Sequence, residues 1–160
     1  PDQETTPVYG REISLMVSNE NPVVTARLYE WEFVNVSGIV PREFQSEVVV
    51  DKNALDESVE RAAVLARTDK NSIVVFDIRE DSLGVSSNTS IGKVNESVKI
   101  LLEGKDVTIA LNCKYVSECL GAVSDEKERI GRNGAVSPCV VTNVAGVHAP
   151  YLILPVRRKA

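Results

Sequence analysis

Two stretches of the chain carry apolar residues at helical spacing, and each stretch has a single apolar stripe. The stripes consist of Leu55, Val59, Ala62, Ala63 and Ala66 in the first stretch and of Val116, Cys119, Leu120 and Val123 in the second. Asp51 and Asn112 precede them, and each side chain can accept a hydrogen bond from a free N–H of the first helical turn. A helix with one apolar stripe must bury it against another element. The sequence therefore predicts two helices on one face of a sheet.

Short segments rich in β-branched and large apolar residues surround the two helices, as is typical of strands. They are residues 47–50, 72–78, 83–87, 97–102, 107–111, 127–131, 137–142 and 151–156. With the helices they give the order strand, helix and three strands, twice over. We therefore predict an α+β fold: an antiparallel sheet with two helices packed on one face, built from a duplicated β-α-β-β-β order.

The N-terminal part of the chain differs from the rest. Residues 1–10 are polar, with two prolines and a glycine, and predict a loose leader. Residues 11–17 and 22–29 are short segments rich in Ile, Leu, Val and Thr, and they predict a hairpin. A boundary near residues 41–46 separates this part from the α+β domain, and Trp31 is expected in a packed linker.

The chain ends in an apolar run that a proline interrupts. Tyr151 to Leu154 are four large apolar or aromatic residues, which suits a buried strand. Pro155 has no N–H to donate, so the hydrogen-bond ladder should stop there and leave Val156 and Arg157 where the strand leaves the sheet. Such a strand can form the floor of a peptide groove, or it can be an ordinary last core strand. These residues alone leave both interpretations open.

Composition and isolated residues argue against several classes of function. The net charge is −5, so any contact with DNA would need a local basic face. No apolar run is long enough to span a bilayer and no signal peptide is visible, and Cys113, Cys119 and Cys139 fall in apolar surroundings. We therefore expect reduced, buried thiols and a cytoplasmic location. His148 has no second ligand at metal spacing, the cysteines form no C-x-x-C pair, and residues 131–134 are a turn rather than a phosphate loop. We therefore expect no metal, no cofactor and no enzyme activity.

Four motifs in order resemble the C-terminal third of the bacterial DNA polymerase III beta subunit, the sliding clamp. They are Ala26-Arg27-Leu28 with Glu30, Phe33 and Val40-Pro41; Arg61-Ala62-Ala63-Val64-Leu65; Leu111-Asn112 with Tyr115-Val116; and Tyr151-Leu152-Ile153-Leu154-Pro155-Val156-Arg157. The resemblance implies the DNA-clamp fold, in which three similar domains form a subunit and two subunits close around duplex DNA. Residues 1–40 would be a leader plus the terminal hairpin of the middle domain, and residues 41–160 the third domain. The chain would then be a C-terminal fragment.

The resemblance also implies a groove between the middle and last domains that binds short linear motifs of polymerases and repair proteins. The matching positions are Ile39, Asn112, Tyr115, Val136, Pro138, Leu152, Ile153, Leu154, Pro155, Val156 and Arg157. Apolar side chains there would take up Leu or Phe anchors, and Asn112, Tyr115 and Arg157 would orient the peptide. Val34 and Gly38 depart from the family pattern, which puts the motif preference in doubt.

Two further expectations come from the same resemblance. Val64 and Leu65 match positions at the ring interface, where the subunit forms a homodimer in the full-length protein. The DNA-facing positions would be Lys52, Arg61, Arg67 and Lys114, although a solvated helix face of mixed charge explains them equally well. The implied partners are DNA polymerase, repair proteins, the clamp loader and encircled double-stranded DNA. The alternative is a stand-alone α+β protein-interaction domain with a clamp-like fold and no role in replication.

Overall fold

A computed structural model describes most of the chain, namely residues 7–18, 23–32, 35, 38–41, 43–123, 125–134, 136–144 and 149–157. The chain divides into two compact units, Pro1–Ser37 and Gly38–Ala160. The assignment of residues 1–40 and 41–160 to a middle and a third clamp domain stays a prediction.

The first unit contains a three-stranded antiparallel sheet rather than a single hairpin. Its strands are β1 (Val8–Arg11), β2 (Ser14–Ser18) and β3 (Val23–Arg27), in the order β1-β2-β3. The predicted hairpin corresponds to β2 and β3. The prediction of a loose leader through residue 10 is wrong from Val8 onward, because β1 pairs with β2 from Val8 to Arg11. Trp31 is 88% exposed, so the prediction of a packed linker is also wrong.

The second unit repeats one order of elements twice, as the sequence predicts. The first repeat consists of β4 (Ser46–Asp51), α1 (Lys52–Ala66), β5 (Ile73–Arg79), β6 (Ser82–Thr89) and β7 (Gly92–Gly104). The second consists of β8 (Val107–Asn112), α2 (Cys113–Ala122), β9 (Lys127–Arg132), β10 (Cys139–Asn143) and β11 (Tyr151–Ile153). The predicted duplicated β-α-β-β-β fold is confirmed.

The two repeats exchange their first strands within one antiparallel sheet of eight strands. The order is β11-β10-β9-β4-β7-β6-β5-β8, so β4 lies beside β9 of the other repeat, and β8 lies beside β5. Strands that occupy the same place in the two repeats, such as β5 and β9, therefore have equivalent neighbours in most of the sheet. The exception is at the two edges, where β8 and β11 have a neighbour on one side only.

Both helices begin at the caps that the sequence predicts. The side chain of Asp51 accepts a hydrogen bond from the Ala54 N–H at 2.9 Å, and the side chain of Asn112 accepts one from the Lys114 N–H at 2.9 Å. Every residue of the two predicted stripes is buried. The stripes join the inward side chains of the sheet in one hydrophobic core. No helix in the described part of the chain is long and apolar enough to cross a membrane.

Two strand boundaries of the second unit differ from the prediction by three residues or more. β7 begins at Gly92 rather than at residue 97, because its polar first half alternates exposed and half-buried side chains along an open edge of the sheet. β11 ends at Ile153 rather than at Val156. Gly104 ends β7 with φ +115°, and a Cβ there would lie 2.0 Å from the Gln45 carbonyl oxygen. Only glycine fits this turn without strain.

A carboxyl group lies inside the sheet, where the sequence gives no reason to expect one. Glu128 faces the helices from β9, opposite Val50 on β4 and Asn143 on β10. It is fully buried, and neither carboxyl oxygen has a hydrogen-bond partner among the described residues. Burial raises the pKa of Glu128 to about 7; Asp125 also raises this pKa, and Lys52 lowers it. The folded protein therefore accommodates the protonated carboxyl better than the carboxylate.

This burial predicts a stability that decreases as the pH rises. The unfolded chain releases the Glu128 proton near pH 4.5, whereas the folded chain retains it until about pH 7. Glu128→Gln should remove this dependence, so the variant should gain on the parent by up to roughly 3 kcal/mol between pH 4.5 and 7.5. Urea unfolding across that pH range measures the difference. A constant difference between the two proteins would contradict the prediction.

Candidate functional site

The segment after β11 crosses to the opposite edge strand of the sheet. The Val156 N–H donates a hydrogen bond to the Ala110 carbonyl oxygen on β8, at 2.8 Å. Both edge strands, β8 and β11, also pack against α2. The two ends of the eight-stranded sheet therefore approach each other at the C-terminal segment.

The two repeats differ at this point. In the first repeat, the first and last strands pair over five residues, from Ser46 opposite Gly104 to Val50 opposite Ile100. The corresponding strands of the second repeat are β8 and β11, and no ladder joins them. Pro155 has no N–H with which to continue the ladder between β11 and β10, and the Val156 bond to Ala110 is the backbone bond from this segment to β8 among the described residues.

A groove of about 620 Å³ lies where the second ladder is missing. Its lining residues are Thr108, Ile109, Ala110, Val136, Leu154, Pro155, Val156 and Arg157. Leu154 is 69% exposed and Val136 is 83% exposed, so two apolar side chains are open to solvent at this groove. Arg157 supplies a positive charge. Apolar walls with a few polar groups are typical of peptide and small-molecule sites.

The β8 side of the groove presents unpaired backbone groups. The Ala110 carbonyl points toward Val156, away from β5, whereas the Cys113 N–H points toward β5 and donates to the Ser72 oxygen at 2.8 Å. Because backbone groups alternate along a strand, the N–H and C=O of Thr108 point into the groove. The Thr108 hydroxyl donates to Asp77 Oδ1 at 2.5 Å. The edge of β8 can therefore offer main-chain hydrogen bonds to an extended ligand.

Five predicted groove residues line this cavity together: Val136, Leu154, Pro155, Val156 and Arg157. The other six do not line it. Pro138 and Leu152 are half-buried, Ile153 is buried in the core, and Ile39 and Tyr115 are exposed.

Asn112 has structural contacts that account for its position. Its side-chain oxygen caps α2, and its side-chain nitrogen donates to the Asn71 carbonyl at 3.3 Å. Thr108, Ile109 and Ala110 could not be predicted as groove residues from the sequence, because only the pairing order shows that β8 is an edge strand.

The predicted ring-interface residues lie near an open strand edge. Val64 is exposed, and Leu65 is half-buried, with its side chain 3.5 Å from the position of a Cβ on Gly92. From Gly92 to Lys99, β7 pairs with β6 on one side, and its pairing with β4 begins only at Ile100. The exposed Val64 side chain on α1 and the open edge of β7 therefore both lie close to Leu65.

The predicted DNA-facing cations differ in their surroundings. Arg61 bonds Glu96 at 3.0 Å and contacts Glu57 at 3.6 Å, and Lys114 lies 3.8 Å from Glu118. These carboxylates offset the positive charge that a phosphate would meet. Arg67 is exposed at the end of α1, and Lys52 is half-buried at its start.

The thiols are poorly placed for chemistry. Cys113, Cys119 and Cys139 are free and buried, which confirms that part of the prediction. Burial raises the pKa of Cys119 to about 12 and that of Cys139 to about 11. In the described part of the chain no three His, Cys, Asp or Glu side chains are grouped for a metal ion. His148, like Val34, lies outside the described residues.

Comparison with known proteins agrees with the fold and decides the family. Residues 37–157 match the family model of the DNA polymerase III beta subunit, C-terminal domain. The chain belongs to this family. The beta sliding clamp of Bacillus subtilis is 26% identical over 159 residues, and that of Synechococcus elongatus is 30% identical over 139 residues. The matches cover 98% and 86% of the chain but 42% and 37% of these relatives, so the chain spans about two fifths of their length.

Solved structures have the same fold. The DNA polymerase sliding clamp of Bacillus subtilis superimposes with a TM-score of 0.88 at 25% identity, covering 99% of this chain and 42% of that clamp. The DNA polymerase III beta subunit of Thermotoga maritima gives 0.86 at 25% identity, covering 96% and 42%. The predicted resemblance to the C-terminal third of the beta subunit is confirmed.

The contacts of Asn112 predict a loss of stability when its side chain is removed. Asn112→Ala removes the acceptor of the Lys114 N–H and the hydrogen bond to the Asn71 carbonyl, and should cost about 1 kcal/mol. Asn95→Ala is the matched control, because Asn95 is exposed in the first half of β7. Chemical unfolding of both variants measures the difference. Equal stability of the two variants would show that the cap contributes nothing.

Proposed function

We propose that this domain serves a DNA sliding clamp by binding short apolar peptide segments of DNA polymerases and repair proteins. The observation that carries the proposal is the groove at the missing β8–β11 ladder, with Leu154 and Val136 exposed in its walls. Family membership supports the same conclusion, because the relatives are sliding clamps of DNA polymerase. The domain would act by binding rather than by catalysis, in the cytoplasm and without a cofactor.

The groove suits an extended peptide with one or two apolar anchors. Burying a Leu or Phe side chain against Leu154, Val136 and Pro155 contributes roughly 1.5–3 kcal/mol for each fully buried anchor. The outward backbone groups of Thr108 can hold the main chain of the peptide, and Arg157 can pair with an acidic group beside the anchors. Such a combination favours short segments over folded partners.

Removing Leu154 should weaken peptide binding. Fluorescence polarisation of a labelled Gln-Leu-x-Leu-Phe type peptide should show saturable binding to the parent chain, and Leu154→Ala should weaken it about tenfold or more. Leu101→Ala is the matched control, because Leu101 is 71% exposed on β7, close to the 69% of Leu154, and does not line the groove. The control should bind like the parent.

Other outcomes of this experiment have clear meanings. Equal weakening by both substitutions would indicate non-specific adhesion to exposed leucines. No binding by the parent at high concentration would favour the alternative, a stand-alone interaction domain with a clamp-like fold.

We also propose that Val64 and Leu65 form part of a ring interface. An exposed apolar side chain beside the open edge of β7 suits a partner that adds a strand and covers Val64. The partner would be a second subunit of the full-length protein, and the clamp loader would open the ring so that it encircles double-stranded DNA. Lys52, Arg61, Arg67 and Lys114 would face its phosphates, although the pairing of Arg61 and Lys114 with carboxylates weakens their part.

The ring proposal predicts that a charge at Val64 separates the subunits. Val64→Glu in the full-length protein should convert the dimer to monomer, because the carboxylate would have to be buried in the interface. Sedimentation velocity measures the oligomeric state, and retention on circular DNA should be lost in parallel. A Val64→Glu protein that remains dimeric and retained would exclude this position from the interface.

A further inference from the structure

A buried guanidinium lies directly behind one wall of the groove. Arg132, at the end of β9, is 1% exposed and faces the core from the position opposite Ser46 on β4. Its Nη2 donates to the carbonyl oxygens of Gly134 and of Ser137, the latter at 2.9 Å. Its Nε and Nη1 have no hydrogen-bond partner, and no carboxylate lies within ion-pair distance of it, among the described residues.

Core stability gives no account of this arrangement. Burying a charge without a counter-ion is costly, and an apolar side chain of similar volume is often neutral or more favourable in such a place. Burial lowers the pKa of Arg132, and the neighbouring Cys139 offsets this only in part. Burial raises the pKa of the Cys139 thiol to about 11, so the thiol is uncharged at neutral pH and is no counter-ion for the guanidinium. The reason for burying the guanidinium must therefore lie in the two carbonyl groups that accept its hydrogen bonds.

The two carbonyls that accept from Arg132 stand on either side of Val136. Gly134 has φ +93°, a conformation that glycine adopts without strain. The Ser137 hydroxyl donates to the Asn133 carbonyl at 2.7 Å, and the Asn133 side chain bonds the Gln45 N–H at 2.7 Å and the Glu43 carbonyl at 2.8 Å. Val136, 83% exposed, therefore lines the groove between two residues, Gly134 and Ser137, whose carbonyl groups are both bonded to Arg132.

We propose that Arg132 is a positioning residue for ligand binding, which holds the Val136 turn in the shape that completes the groove wall. The proposal rests on the proposed peptide-binding function and adds to it a residue that no ligand touches. A wall that is fixed before binding loses less conformational freedom when the ligand arrives. The unusual burial of a charge is then the means of fixing the carbonyls of Gly134 and Ser137 with one side chain.

A double-mutant cycle tests whether Arg132 acts through Val136. The same labelled peptide is titrated into the parent, Arg132→Met, Val136→Ala and the double variant. We expect each single substitution to weaken binding about three- to tenfold, and the double variant to bind no more weakly than the weaker single one. Arg132→Lys should restore part of the affinity, since an ammonium can still bond a carbonyl. Val85→Ala, buried on β6, is the control for lost stability and should leave affinity unchanged.

Several results would overturn the proposal. Additive losses in the cycle would show that Arg132 does not act through Val136, and unchanged affinity of Arg132→Met with a lowered melting temperature would show a structural role only. If Arg132→Met does not fold, Arg132→Lys takes its place in the cycle, because one ammonium cannot reproduce the paired bonds of the guanidinium to both carbonyls. Absence of binding by the parent overturns the peptide function itself, whereas normal binding with an additive cycle overturns only the role of Arg132.

Discussion

The single hydrogen bond from Val156 to Ala110 stands where the other repeat has a full ladder. In the first repeat, β4 and β7 pair from Ser46 to Val50 and join the two halves of the sheet. In the second, the corresponding strands lie at opposite edges and meet through one bond, beyond Pro155. A completed ladder would bury the edge of β8 and leave no space between the strands. The groove therefore lies where the second repeat lacks the ladder that the first repeat has.

The same asymmetry explains why the groove does not close. α2 packs against both β8 and β11 and so holds the two edge strands near each other. β11 stops at Ile153, whose side chain is fixed in the core, and the next residue, Leu154, is largely exposed. Two successive residues thus differ, because the first side chain lies in the core and the second is exposed to solvent. An extended ligand would meet a rigid floor, which lowers the entropic cost of binding.

The local features of the fold could be predicted from the sequence, and the long-range ones could not. Capping by Asp51 and Asn112 depends on neighbours two or three residues away, so the helices were predictable. The stop at Pro155 follows from one missing N–H. The exposure of Thr108 and Ala110 depends on which strand fails to pair with β8, and no local pattern encodes that order. Glu128 and Arg132 were missed for another reason, since charged residues in a strand normally indicate the solvent face.

Glu128 and Arg132, the two charged residues that face the core from β9, avoid the cost of an unpaired buried charge in different ways. Both face inward, with Ile130 between them. Glu128 can become neutral, and burial raises its pKa to about 7, so it can remain buried as the acid without an ionic partner. Arg132 cannot follow the same route, because even a lowered guanidinium pKa leaves it charged at neutral pH. It has to recruit oxygen acceptors, and the acceptors within reach are the carbonyls of Gly134 and Ser137. Because Arg132 stays charged, its hydrogen bonds to these two carbonyls hold the residues on either side of Val136 in place at the groove.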